Sequence, residues 1–208
     1  VSRIGKTRLA GEAALVERHA QVVASGYGLR PWASLLATMY CDIGGLDAAL
    51  AVVESFATDG FADVRLSPNE SAMVLHHLAE ATAALGDVSV ASGLYDLVLP
   101  FSDPLLTYAG LVVTGAADRA LGQLATVLGR YDEAEERYEA ALVLEGKFGA
   151  RALVPRTQYW YARMLAERDE TGDRTRARAL LDQCVTTTAE LGMAILERQA
   201  RELLADQP

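Results

Sequence analysis

Gly5-Lys6-Thr7-Arg8-Leu9 carries the lysine and hydroxyl that hold nucleotide phosphates in a P-loop. Such a loop also needs a glycine five residues before the Gly-Lys-Thr and a strand leading into it, so that backbone N–H groups cradle the phosphates. That glycine's position falls before Val1, and no strand-like run precedes Gly5. Leu35–Asp42 imitates the apolar run and aspartate of a magnesium site, but it lies too close to Lys6 for an α/β nucleotide fold. The expectation is no nucleotide site. Metal chemistry would draw on His19, His76 and His77. Neighbouring helical residues point about 100° apart, so His76 and His77 do not converge on one ion. Glu135-Glu136 and Asp169-Glu170 read as solvated helix faces and turns. No Ser-His-Asp or Cys-His set has motif context. The chain is expected to be a non-enzyme with no cofactor and no metal.

The elements behind these residues are set by a period. Gly44, Gly86, Gly129 and Gly172 stand 42 or 43 residues apart, and five residues after each comes Ala49, Ala91, Ala134 or Ala177. Self-similarity of this length means stacked helical hairpins. The third copy is the clearest: Leu121-Gly122, Ala125, Leu128-Gly129-Arg130-Tyr131-Asp132-Glu133-Ala134, Tyr138, Ala141-Leu142. Gly122 and Ala134 are small where two helices cross. Gly129 stops the first helix, because a left-handed turn residue is cheapest as glycine. Asp132 and Glu133 then meet the positive end of the next helix dipole. Asp59–Asn69 and Leu99–Ala109 read as inter-repeat loops, and Pro104–Ala117 as a loop leading into a buried helix.

Composition sets the outer limits. The 208 residues are 51% apolar and 23% charged, with a net charge of −9. Residues 147–178 hold eight Lys/Arg against four Asp/Glu, interleaved as on a solvated repeat surface. Cys41 and Cys184 are far apart in helical patterns, which fits a reduced cytoplasmic setting better than a disulfide scaffold. The longest charge-free run, Pro104–Ala117, is shorter than the roughly 20 residues of a membrane span.

The repeat residues resemble the tetratricopeptide repeat, whose usual period is about 34. The succession Leu94-Tyr95, Leu97, Leu99-Pro100, Leu128–Glu135, Gly149-Ala150-Arg151, Arg156–Tyr159, Tyr161-Ala162-Arg163, Gly172-Asp173-Arg174 and Glu190–Met193 is similar to the tetratricopeptide-like C-terminal region of large bacterial signalling ATPases. Those proteins couple a P-loop ATPase to a nucleotide cyclase or to a helix-turn-helix transcriptional regulator. The resemblance implies a sensing or regulatory arm without the catalytic and DNA-binding parts.

The fold expectation is all-α: about ten helices in a right-handed superhelical stack. A half repeat spans 1–28, repeats span 29–68, 69–109, 110–150 and 151–192, and a polar capping helix spans 193–208. The chain reads as starting mid-repeat, as a piece of a longer protein or its descendant would. The unmated helix of residues 4–25 leaves an apolar flank that a second copy would cover as a homodimer.

By the repeat's geometry, first helices line a concave groove. Ser34, Thr38, His76, Glu80, Arg119, Gln123, Arg156, Tyr159 and Arg163 fall there. Arg119, Arg156 and Arg163 suit an acidic peptide. In Tyr159-Trp160-Tyr161, Tyr161 takes the core position, Trp160 wedges toward the neighbouring repeat and Tyr159 faces the groove. The leading expectation is a protein or peptide interaction module in bacterial signalling or transcriptional regulation, with no direct nucleic-acid or membrane contact. The alternative is a small-ligand effector sensor with a pocket inside the superhelix. An open groove favours the first and a closed cavity the second.

Overall fold

The computed structural model describes residues 30–58, 60–62, 64, 68–102, 105–108 and 112–206, together with 13–14, 16–18 and 20–21. Gly5–Leu9, His19 and most of the expected half repeat lie outside the described residues. Nine helices can be bounded: α1 Arg30–Asp42, α2 Leu46–Ala57, α3 Pro68–Leu85, α4 Val88–Val98, α5 Ala117–Val127, α6 Tyr131–Lys147, α7 Val154–Arg168, α8 Asp173–Leu191 and α9 Ala194–Ala205. The fold is helical, as its periodicity requires. No described helix is long and apolar enough to cross a membrane.

Consecutive helices pack as hairpins, α1 on α2 through α7 on α8. The first members also pack in a row: α1 on α3, α3 on α5, α5 on α7 and α7 on α9. The core follows the alanines of the repeat. Ala49, Ala91, Ala134 and Ala177 are each fully buried, as are Leu78, Leu94, Leu121, Tyr138, Leu165 and Leu181. Cys184, also fully buried, sends its thiol toward the Pro155 carbonyl at 3.3 Å.

At Gly122 the expected close crossing is present. A β-carbon there would lie 3.0 Å from the Tyr138 ring, tighter than ordinary van der Waals contact. Gly129 stops α5 with φ +69°, and the N–H of Arg130 closes the turn on the Ala125 carbonyl at 2.9 Å. The fourth turn differs. Asp169 takes the left-handed position at φ 53° after α7, and Gly172 instead precedes α8. Residues 168–171 lengthen this turn, so the stop and the glycine no longer coincide.

Two loop expectations are corrected. Leu99–Phe101 forms a 3-10 turn, and Leu105–Tyr108 (β1) pairs antiparallel with Val112–Ala116 (β2). The apolar and β-branched residues of 105–108 and 112–116 form a ladder in place of a structureless loop. Strand β2 runs straight into α5.

Candidate functional site

The first helices of the hairpin row meet around a buried arginine. Arg119, in the first turn of α5, has no solvent exposure. Its guanidinium donates to Glu145 of α6 at 2.9 Å and to the Thr114 carbonyl of β2 at 2.8 Å. It also meets His76 Nε2 of α3 at 3.0 Å. Glu145, equally buried, accepts further hydrogen bonds from Thr157 at 2.7 Å and from the Ala116 N–H at 3.2 Å. The β-hairpin is therefore part of the site: it brings two backbone groups to the ion pair. Gly115 makes room for this. A β-carbon there would fall 2.1 Å from Arg119 Nη2.

An arginine stays protonated in proteins, so His76 Nε2 must accept and its proton sits on Nδ1. Burial, with Arg119 adding to it, holds His76 neutral, well below the ordinary histidine range. Nδ1 has no hydrogen-bond partner. His77 turns the other way, toward the Ser34 hydroxyl at 3.2 Å, and burial lowers it to about 4.

A second layer joins helices that are not neighbours in the row. Arg156 of α7 reaches Glu80 of α3 at 2.8 Å. Burial alone would raise the Glu80 carboxyl, but Arg156 and Arg119 outweigh it and hold it below the usual range. Gln199 of α9 donates to Asp42 of α1 at 3.2 Å, tying the last helix to the first bounded one. Asp42 is pushed up to about 6, chiefly by burial and then by Glu80.

Several cavities result, two of them sharing Trp160. One, of about 170 Å³, lies among Thr38, Asp42, Glu80, Arg156, Tyr159 and Gln199. The other, of about 280 Å³, is lined by Ala83, Val88, Gln123, Val127, Met164 and Glu167, among others. Trp160 and Arg163 border both, with the guanidinium 4.9 Å from the indole ring centre.

Helix α1 places Ser34 in the core and Thr38 on the first cavity. The expected groove residues do share one side, but they do not form one surface. His76, Arg119 and Gln123 are buried, whereas Glu80, Arg156, Tyr159 and Arg163 line the first cavity. Arg119 is spent on Glu145 and is out of reach of an acidic peptide. Trp160 is buried and lines both cavities beside residues of α3 and α5. Tyr161 takes its core position, stacked on Tyr138 with ring centres 5.5 Å apart.

Asp42, Glu145 and Gln199 were missed by sequence reasoning. Nothing in the repeat pattern singles out Glu145 or foretells that β2 covers it. In the sequence Asp42 reads only as a mimic of a magnesium ligand. Among the described residues no group of three or more His, Cys, Asp or Glu is placed to hold a metal ion. Comparison with protein-family models, curated proteins and solved structures finds no match to this chain.

Proposed function

We propose that this chain is a sensing arm of a bacterial signalling or transcriptional regulator, a tetratricopeptide-like superhelical stack that takes a small effector on its concave side. The carrying observation is the closure of that side. The Asp42–Gln199 hydrogen bond and the Arg156–Glu80 ion pair bridge helices across it, where an extended peptide would have to lie. A ligand that favours the closed arrangement would shift the balance between closed and open forms by its differential affinity for the two.

A protein partner is the second reading. Val143 and Phe148, at the end of α6, are the most exposed large apolar side chains described, and they offer a contact on the outside of the row.

The test is a panel of amino acids, nucleosides and short sugars, set beside a fluorescent oligoglutamate peptide. Melting temperature and hydrogen exchange are the readouts. The expected result is a small molecule that binds saturably and slows exchange at the ends of α1 and α9, with no peptide binding. Peptide binding that is abolished by Arg156→Ala and Tyr159→Ala, with no small-molecule effect, would overturn the reading in favour of an open peptide groove.

A further inference from the structure

The cavity of about 170 Å³ is walled by two carboxylates and two guanidiniums, and only one of each is spent on the other. Arg156 and Glu80 pair at 2.8 Å, so their charges cancel. Asp42 and Arg163 have no such mate. Asp42 uses one oxygen, Oδ1, to accept from Gln199 at 3.2 Å. Its Oδ2 has no partner among the described residues and is not sealed from solvent. Arg163 lies over the Trp160 ring, 4.9 Å from its centre. Its guanidinium nitrogens carry no hydrogen bond or ion pair among the described residues, and none of them is sealed from solvent.

The surroundings of each group sharpen this. Burial and then Glu80 push the Asp42 carboxyl up to about 6, the mark of a carboxylate short of positive charge. Beside it, the Thr38 hydroxyl donates to the Leu35 carbonyl at 2.8 Å and keeps its lone pairs for another donor. Leu46, Ala84 and Leu196 supply an apolar wall between the charges.

From this we infer that the cavity binds a small aliphatic amino acid as its zwitterion, the ammonium on Asp42 and Thr38 and the carboxylate on Arg163. A simple anion would leave Asp42 uncompensated, and a simple cation would leave Arg163 so; each would also meet a like charge. The fork of a guanidinium matches the two oxygens of a carboxylate. The apolar wall takes the hydrocarbon. This inference rests on the effector-sensing reading and gives it a ligand class.

L-Valine and 4-aminobutyrate are the probes, since they carry the two charges at short and at long spacing. Isobutylamine and isovalerate, which lack the carboxylate or the ammonium of valine, are the controls for the first. Propylamine and butyrate serve the second. Calorimetry on the whole chain above pH 6, where Asp42 is ionised, should show saturable binding of at least one probe. Its two controls should bind at least tenfold more weakly. Arg163→Met keeps an aliphatic stem over Trp160. It should weaken the probe at least tenfold and bring it level with its amine control. Asp42→Asn keeps an acceptor for Gln199 and should bring the probe level with its acid control. A merely structural role for either residue would weaken probe and controls alike and leave the discrimination as it was. Arg163→Met carries the test should Asp42→Asn fail to fold. Binding of neither probe, a control that matches its probe in the parent, or unchanged discrimination in a folded variant overturns the inference. A null with both probes beside a panel nucleoside or sugar that protects α1 and α9 overturns the amino-acid assignment and leaves the sensing reading standing. A null with the whole panel removes both.

Discussion

Two clusters of charge hold neighbouring hairpins together, and they are satisfied to different degrees. On the outer side, where α6, α7 and α8 meet, Arg168 donates twice to Asp173, at 2.8 and 2.9 Å, and contacts Glu135 at 2.7 Å. Asp173 also accepts from the Glu170 N–H at 3.0 Å, which fixes the lengthened turn. Glu135 receives Arg176 as well. No buried polar atom of this cluster lacks a partner. Where the first helices meet, Arg119 and Glu145 are paired, yet His76 Nδ1, Arg119 Nε and both polar atoms of Gln123 have no partner. Helix packing alone is served by the first arrangement. The second leaves buried polar atoms unpaired, which costs stability.

The largest expected effect breaks the concave cluster. Arg119→Met leaves Glu145 buried without its cation and should destabilise by about 3–5 kcal/mol in urea denaturation. Adding Glu145→Met should recover most of that loss, because the desolvation cost of the remaining charge goes with it. No recovery would mean that Glu145 is held mainly by Thr157 and the β2 backbone.

Gly122→Leu acts between the two regions. It forces the added side chain against Tyr138, which stacks on Tyr161, itself hydrogen-bonded to Glu135 at 3.1 Å. Overpacking of this kind costs about 1–3 kcal/mol or more. A thermal melt matching the parent would place the crossing elsewhere.

The first-helix side should also respond to pH in two opposed ways. Asp42 rises to about 6 in the folded chain, so the folded state holds its proton more tightly than the unfolded one. Its contribution is present at low pH and is lost as pH rises from the ordinary carboxyl value through 6. His77 is lowered to about 4, so the unfolded state takes up the proton first. Stability from His77 is present above its ordinary value near 6.5 and is lost as pH falls toward 4. His76, also lowered by burial, adds to the His77 slope, so stability in the parent rises with pH over this range despite Asp42. Asp42→Asn should steepen that rise between about 4 and 6.5, by up to about 2 kcal/mol. A flat profile in that variant would remove both histidines from the account.

The smallest effect belongs to the outer cluster. Arg168→Gln should cost about 1–2 kcal/mol, read by denaturation, and should leave any ligand affinity unchanged. A change in ligand affinity would join the two regions that the structure keeps apart.

The comparison also shows what a sequence can carry. Gly44, Gly86 and Gly129, with the alanines five residues on, were sufficient for helices, hairpin order and the buried small positions. Those features depend on residues close in sequence, through 3.6-residue periodicity and the backbone freedom of glycine at positive φ. Gly122, Tyr138 and Tyr161 were legible for the same reason. The β-hairpin was not: its flanking prolines and glycines signal a break, and only pairing with a second strand turns a break into a ladder. The tertiary structure alone decided the state of the expected groove. Whether Arg119, Arg156 and Gln123 face water, a carboxylate or a cavity depends on how far the row of helices curves. That curvature sums small packing angles over many residues, and it brings Asp42 to Gln199 across 157 positions of chain. A local pattern fixes which side a residue is on; the distance across that side, and so its chemistry, is set by the whole stack.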